Sequence, residues 1–157
     1  MQQDIKSCSH PQENEVAMSV VTEELMINTP GEDSIVDLTE QVSDVVKKSK
    51  ISTGIAHVFV IGSTGALTTV EYEPGLLKDV PAALDRLIPR HITYAHHETW
   101  HDNNGHSHVR ASLIGPSLTI PVRDGDIVHG TWQQLVFLEL DTNPRKRRIL
   151  VTVIGEK

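Results

Sequence analysis

The sequence predicts an α+β domain with a mostly antiparallel β-sheet and two main helices, on three observations. Seven or eight short runs rich in Val, Ile, Leu and Thr are bounded by Gly, Pro, Asn and Asp turns, as strands are. Two further segments space their apolar residues at a helical period. Strands and helices do not alternate regularly, which argues against a doubly wound parallel sheet.

Length and composition fit that class. A chain of 157 residues with 38% hydrophobic and 22% charged residues is one soluble domain by size, long enough to bury a core. A net charge of −7 argues against a general nucleic-acid partner. The single cysteine, Cys8, excludes an intramolecular disulfide and fits a reducing compartment. No apolar run approaches the roughly 18 residues of a membrane span, and the first fifteen residues hold no apolar segment of a secretory signal. The expectation is a cytoplasmic protein with no membrane partner. Residues 1–13 are polar and without periodicity, so they are expected to form a disordered tail, with one domain over residues 14–157.

Taken in order, Val16 to Asn28 predicts an opening strand, closed by the turn Thr29-Pro30-Gly31. A brief strand follows at Ile35-Val36. Leu38, Val42, Val45 and Val46 then mark a helix, with Asp37 or Thr39 at its N-cap and Lys47, Lys48 and Lys50 at the end where cations favour the dipole. Gly54 to Ile61 predicts a buried strand and Ala66 to Tyr72 a second, joined as a hairpin through Gly62-Ser63-Thr64-Gly65. Leu76 to Ile88 is the second helix; its start can be read late, since Pro81 is tolerated in a first turn. Pro89 ends it. Further strands are predicted at His106–Ile114, Ser117–Val122, Gln134–Leu140 and Ile149–Ile154. The basic run Arg145-Lys146-Arg147-Arg148 is expected in the loop between the last two.

Between the second helix and the later strands lies a histidine-rich stretch. His96, His97, His101, His106 and His108 crowd this stretch, interleaved with Glu98, Asp102 and the turn Asn103-Asn104-Gly105. Imidazoles and carboxylates are the ligands that zinc and similar divalent ions prefer. On a strand, His106 and His108 would share a face with Cα atoms ~6.6 Å apart, close enough to meet on one ion. His96, His101 and Asp102 are the candidates for a third ligand. Three protein ligands and a water make an open site of catalytic type.

Glu71, at a strand end, is a candidate general base. Arg110 and Arg123 are candidates for holding phosphate, and Trp132 for stacking on a flat ligand. A surface arginine and a core tryptophan are the plain alternatives.

Several long motifs stand in a recognisable order: GSTGALTTVEYEPGLLKDV at 62–80, the Tyr94–His96 element, DNNGHSHVR at 102–110, SLIGPSLTIPV at 112–122, GTWQQ at 130–134 and the terminal RRILVTVIGE. With them the chain resembles the YjbQ-like family, also labelled secondary thiamine-phosphate synthase, over ~17–156 (the range of the motif match, read as one domain). The resemblance implies a compact α+β fold, a homotrimer, and a pocket lined by the histidine stretch with a divalent metal, zinc the expected ion. It matches His96 and His108 most closely, then His106, with Asp102 and Glu71 as matched acids. Many members carry a histidine where this chain has Gly62. The family label implies joining a hydroxymethylpyrimidine diphosphate to a thiazole phosphate with release of pyrophosphate. The expected ligand is therefore a small, phosphorylated molecule.

Overall fold

The computed structural model describes residues 17–157; the tail expected over residues 1–13 lies outside them. Eight strands and four helices follow one another as β1 (Met18–Thr29), β2 (Ile35–Asp37), α1 (Thr39–Ser49), β3 (Thr53–Ile61), β4 (Gly65–Val70), α2 (Leu76–Leu87), α3 (His96–Trp100), α4 (Gly105–Ile114), β5 (Ser117–Arg123), β6 (Asp126–Ile127), β7 (Gln134–Glu139) and β8 (Arg145–Glu156). Every pairing is antiparallel. The strands form two sheets, one five-stranded in the order β1-β8-β3-β5-β6 and one three-stranded in the order β2-β7-β4.

The two sheets explain why the strand runs read as they do. Val58 and Val60 of β3, Val151 and Val153 of β8, and Leu135 and Phe137 of β7 bury their side chains in one shared core. Val42, Val45 and Val46 of α1 complete it. The N-cap of α1 is Leu38, without a side-chain cap bond, rather than the expected Asp37 or Thr39; just ahead of it Asp37 Oδ1 accepts the Thr39 N–H at 2.8 Å. The far face of the three-stranded sheet presents Ala66 and Leu138, which pack with Ala111 of α4 and with Val80 and Leu84 of α2. Helix α4 is thus laid on a sheet, and its histidines are fixed by that packing.

Three expectations are corrected. β3 and β4 do not form a hairpin: β3 pairs with β8 and β5, β4 with β7, so the Gly62–Gly65 turn carries the chain from one sheet to the other. β7 and β8 also lie in different sheets, and the basic run is not in their loop but opens β8, pairing with Thr29 to Met26 of β1. Helix α2 starts at Leu76 with Pro81 inside it. Its first turn is held by Glu73, whose carboxylate accepts the Gly75 and Leu76 N–H groups at 2.7 and 2.5 Å.

One close approach requires glycine. Gly54 and Gly155 face each other across β3 and β8. A Cβ on Gly54 would lie 2.0 Å from Ile154 O, and one on Gly155 2.0 Å from Thr53 O. Because the obstacles are backbone atoms, no side-chain rotation relieves them. Gly155→Ala is expected to cost about 1–3 kcal/mol, read as a lower urea midpoint; an unchanged midpoint would show that the strands part freely there.

Candidate functional site

The histidine stretch folds as two helices and a tight reversal, not as a loop and a strand. α3 ends at His101, which takes a left-handed conformation with φ 57°, and Asn103 does so again at φ 54°. α4 begins two residues later. The strand expected at His106–Ile114 is therefore a helix. Residues two apart on a helix point to nearly opposite sides, so His106 and His108 do not share a face.

His108 pairs instead with His96. Their ring centroids are 4.4 Å apart with planes tilted by 49°. Asp102 Oδ1 stands 3.7 Å from His96 Nε2, and that nitrogen is buried with no hydrogen-bond partner. Burial lowers the His108 pKa, and His96 beside it lowers it further, against the opposing pull of Asp102 and Asp141. A neutral imidazole with a free lone pair is the form that binds a metal. His108 also lines a cleft of about 450 Å³ with Gly62, Ser63, Gly65 and Ser112.

Gly62, where the resemblance led us to expect a histidine in many members, lines that cleft with a geometry of its own. Its φ of 146° belongs to glycine, and a Cβ there would come within 3.0 Å of Arg147 Nη1. The backbone is shaped for glycine, so a histidine side chain there would strain it.

The other sequence candidates lie apart from this cluster. His106 is buried, with its Nε2 2.8 Å from Glu32 Oε1. Arg110, expected at a phosphate, is fully buried: its Nη1 donates to Glu32 at 3.0 Å, its Nη2 to Asp85 at 2.5 Å, and Nε and Nη2 to Ile88 O. These bonds occupy the guanidinium inside the fold. Arg123 is 74% exposed at the side chain, with only Asp124 within ion-pair range, at 4.0 Å. Glu71 and Trp132 share a separate cleft of about 310 Å³ with Asp37 and Tyr72, and Trp132 is 71% exposed rather than in the core. His101 is exposed, and His97 Nε2 accepts the Gly105 N–H at 3.3 Å.

Glu32 and Asp85 are residues the sequence reading missed. Arg90 joins them, donating to Asp85 at 2.7 Å, to Glu32 at 3.2 Å and to Asp33 at 3.1 Å. Two guanidiniums and three carboxylates thus tie the turn after β1, the end of α2 and the middle of α4 together. The Arg90 bond, followed by that of Arg110, holds the Asp85 carboxyl at about 2, below its ordinary 3.8. A carboxyl with a depressed folded pKa adds stability above its unfolded value and loses it as pH falls through the folded one. Urea unfolding followed through the acid range is expected to show stability falling as pH drops from just above 3.8 down to about 2. Asp85→Asn should flatten that slope, and an unchanged slope would assign it to other acids.

Comparison with known proteins places this fold among relatives. Residues 23–156 match the family described as UPF0047 protein YjbQ-like. A UPF0047 protein of Methanothermobacter thermautotrophicus is 43% identical over 141 residues, covering 90% of this chain and 96% of that one. A UPF0047 protein of Archaeoglobus fulgidus is 36% identical over 131 residues, covering 83% and 99%. Among solved structures, a YbjQ-like protein of unknown function from Sulfolobus solfataricus superposes with a TM-score of 0.83 at 34% identity, over 89% of this chain and 100% of that one. A yjbq/upf0047 family protein from Clostridium acetobutylicum gives 0.75 at 33% identity, covering 83% and 98%. Among the described residues, no helix is long and apolar enough to cross a membrane. With a motif order, a two-sheet α+β fold and relatives that all agree, the chain belongs to the YjbQ-like UPF0047 family.

Proposed function

We propose that His96, His108 and Asp102 form a divalent-metal site, zinc the first ion to test, serving a small phosphorylated ligand in the adjoining cleft. The named reaction that fits this reading is thiamine-phosphate synthase-like transfer, with pyrophosphate as leaving group. The observation that carries the proposal is the buried, unpartnered Nε2 of His96, on a ring whose centroid stands 4.4 Å from that of His108. Burying a ring nitrogen without a partner is costly, and a metal ion is one partner that two adjacent imidazoles and a carboxylate suit.

The donors are gathered rather than converged. Among the described residues no three His, Cys, Asp or Glu side chains are arranged to hold an ion. Closing the set needs Asp102, the most exposed of the three, to move in, or a donor from a second copy. When bound, the ion would supply positive charge against a diphosphate. The chain's own residues then divide the work. His96 and His108 hold the ion, Ser63 and Ser112 offer hydroxyls along the cleft, and Arg110 and Arg147 stay paired inside the fold. Arg123, Glu71 and Trp132 would serve such a ligand only from another copy or a second subsite.

The same reading includes a homotrimer. It is supported by α2, which is amphipathic yet buries none of its residues fully, and by Leu87 at its end, 77% exposed. A sedimentation mass of one chain would refute it.

Elemental analysis of untagged protein tests the metal. Stoichiometric metal is expected in the wild type and its loss in His96→Ala and His108→Ala; metal far below stoichiometry in the wild type removes the proposal. With metal bound, pyrophosphate release from the two thiamine precursors is the next assay. Turnover undiminished in His108→Ala would take this cluster out of the reaction.

A further inference from the structure

The turn from β3 to β4 leaves one donor of a buried cation uncovered. Arg147 is held inside the fold by Nε and Nη2, which donate to Glu139 and to Thr64. Its Nη1 makes no hydrogen bond among the described residues, and the side chain keeps 8% of its surface exposed. The buried side-chain atoms without a partner, among those residues, are His96 Nε2, Asn104 Oδ1 and His106 Nδ1. Arg147 Nη1 is not one of them, so the free nitrogen meets solvent.

Gly62 stands at the opening. A Cβ there would lie 3.0 Å from Arg147 Nη1, and apart from the chain neighbours no other heavy atom comes within 4 Å of that point. Gly62 also lines the His108 cleft. The space its missing side chain leaves therefore joins that cleft to a guanidinium nitrogen.

The surroundings select the ligand. Among the described residues no carboxylate lines the cleft. Glu139 is occupied by Arg147, Thr29 and the Asp141 amide. Asp141, 4.0 Å from Nη2, is answered by Arg145 at 3.0 Å. A cationic N–H donor with no acid facing it from the cleft suits an oxyanion. Because Nε and Nη2 are taken, Arg147 cannot offer the two-pronged fork that fits a carboxylate. One nitrogen meets one oxygen, and a tetrahedral phosphate keeps others for the exposed hydroxyl of Ser63.

We propose that Gly62 is a window through which Arg147 Nη1 donates to an oxygen of a phosphate group bound in the His108 cleft. The inference rests on the reading of that cleft as a ligand site and deepens it; it does not rest on the metal. The Glu139 pair holds the guanidinium in place, and Nη1 does the recognising.

Inorganic phosphate is the probe, titrated into the full chain as purified and again with EDTA. Saturable binding is expected in both, with the guanidinium nitrogen signals of Arg147 shifting in step by NMR. Gly62→Ala sets a methyl against Nη1 and should weaken phosphate about tenfold, the scale of one charge-assisted hydrogen bond. Arg147→Lys keeps a cation against Glu139 but loses Nη1, and should weaken it as much. Arg148→Ala removes a charge from the same strand, one already paired with Glu24, and binding should hold. Should Gly62→Ala, at its φ of 146°, fail to fold, the wild-type arginine signals decide alone. Phosphate that binds without moving those signals, or with wild-type affinity in Gly62→Ala, overturns the window and leaves the metal reading standing. An equal loss in Arg148→Ala would reduce the contact to general attraction and overturn it too. Binding abolished by EDTA would assign the anion to the metal instead. No saturable binding in either condition also overturns the window, and elemental analysis then judges the metal separately.

Discussion

Arg110→Ala is expected to cost on the order of 3–5 kcal/mol, the scale for removing one partner of a buried ion pair. Arg110 is fully buried, and its guanidinium meets two carboxylates and a backbone carbonyl. Truncation leaves Glu32, whose side chain is 13% exposed, with one cation fewer, and it leaves Ile88 O without its donor. Asp85 suffers less, being 41% exposed and still held by Arg90. Lysine is not expected to rescue, since one ammonium cannot span the fork that reaches both acids. The loss also has a local signature. Arg110 is the tie between the buried side of α4 and the end of α2, so amide exchange should rise along α4 more than in β3 or β8. Urea unfolding with hydrogen exchange reads both effects. A cost below about 1 kcal/mol, nearer to an exposed pair, would show that Arg90 takes over the cluster unaided.

The same helix shows where sequence reasoning stopped. α1, α2 and the long strands were legible because apolar residues carry their periods: Val42, Val45 and Val46 on α1, alternate residues on β3 and β8. α4 inverts the rule. Its buried residues are Gly105, His106, Ser107, Arg110 and Ala111, while Val109 and Leu113 are exposed. A helical period is present, but polar side chains carry it, and a hydrophobic pattern cannot report it. Reading His106, Arg110 and Ile114 at four-residue spacing would have found the helix. The pairing of His96 with His108 was partly legible. Proximity offered His96, beside His101 and Asp102, as a third ligand; spacing tied His108 to His106 instead, and the family motifs set His96 and His108 first. Glu32 was not legible at all. Its partner His106 lies 74 positions away, and nothing local in a Pro-Gly-Glu-Asp turn announces a buried ion pair. The sheet crossings failed for a related reason: a Gly-rich turn between two strand patterns is the same whether the strands pair or part.

Arg147→Met tests the other buried ion pair and should cost a comparable 3–5 kcal/mol. Arg147 on β8 and Glu139 at the end of β7 join the two sheets, with Arg147 Nε 2.7 Å from Glu139 Oε2 and Nη2 bonded to Oε1. Glu139 is fully buried, so losing Arg147 strands a carboxylate with only Thr29 Oγ1 and the Asp141 N–H to answer it. Replacing both, Arg147→Met with Glu139→Leu, removes the stranded charge and should recover much of the loss, as apolar substitutes for buried pairs do. Recovery should be partial, because Thr29, Thr64 and the Asp141 amide then lose partners. The pair has a second task that stability alone does not reveal. Arg147 Nη2 also holds Thr64, and Thr64 holds Asp141, fixing the Gly62–Gly65 turn that walls the His108 cleft. If the double variant folds with near-native stability yet binds metal or ligand more weakly, the ion pair is kept for position. If its binding is native, the pair only fastens the sheets, and the cleft draws its shape from α4 alone.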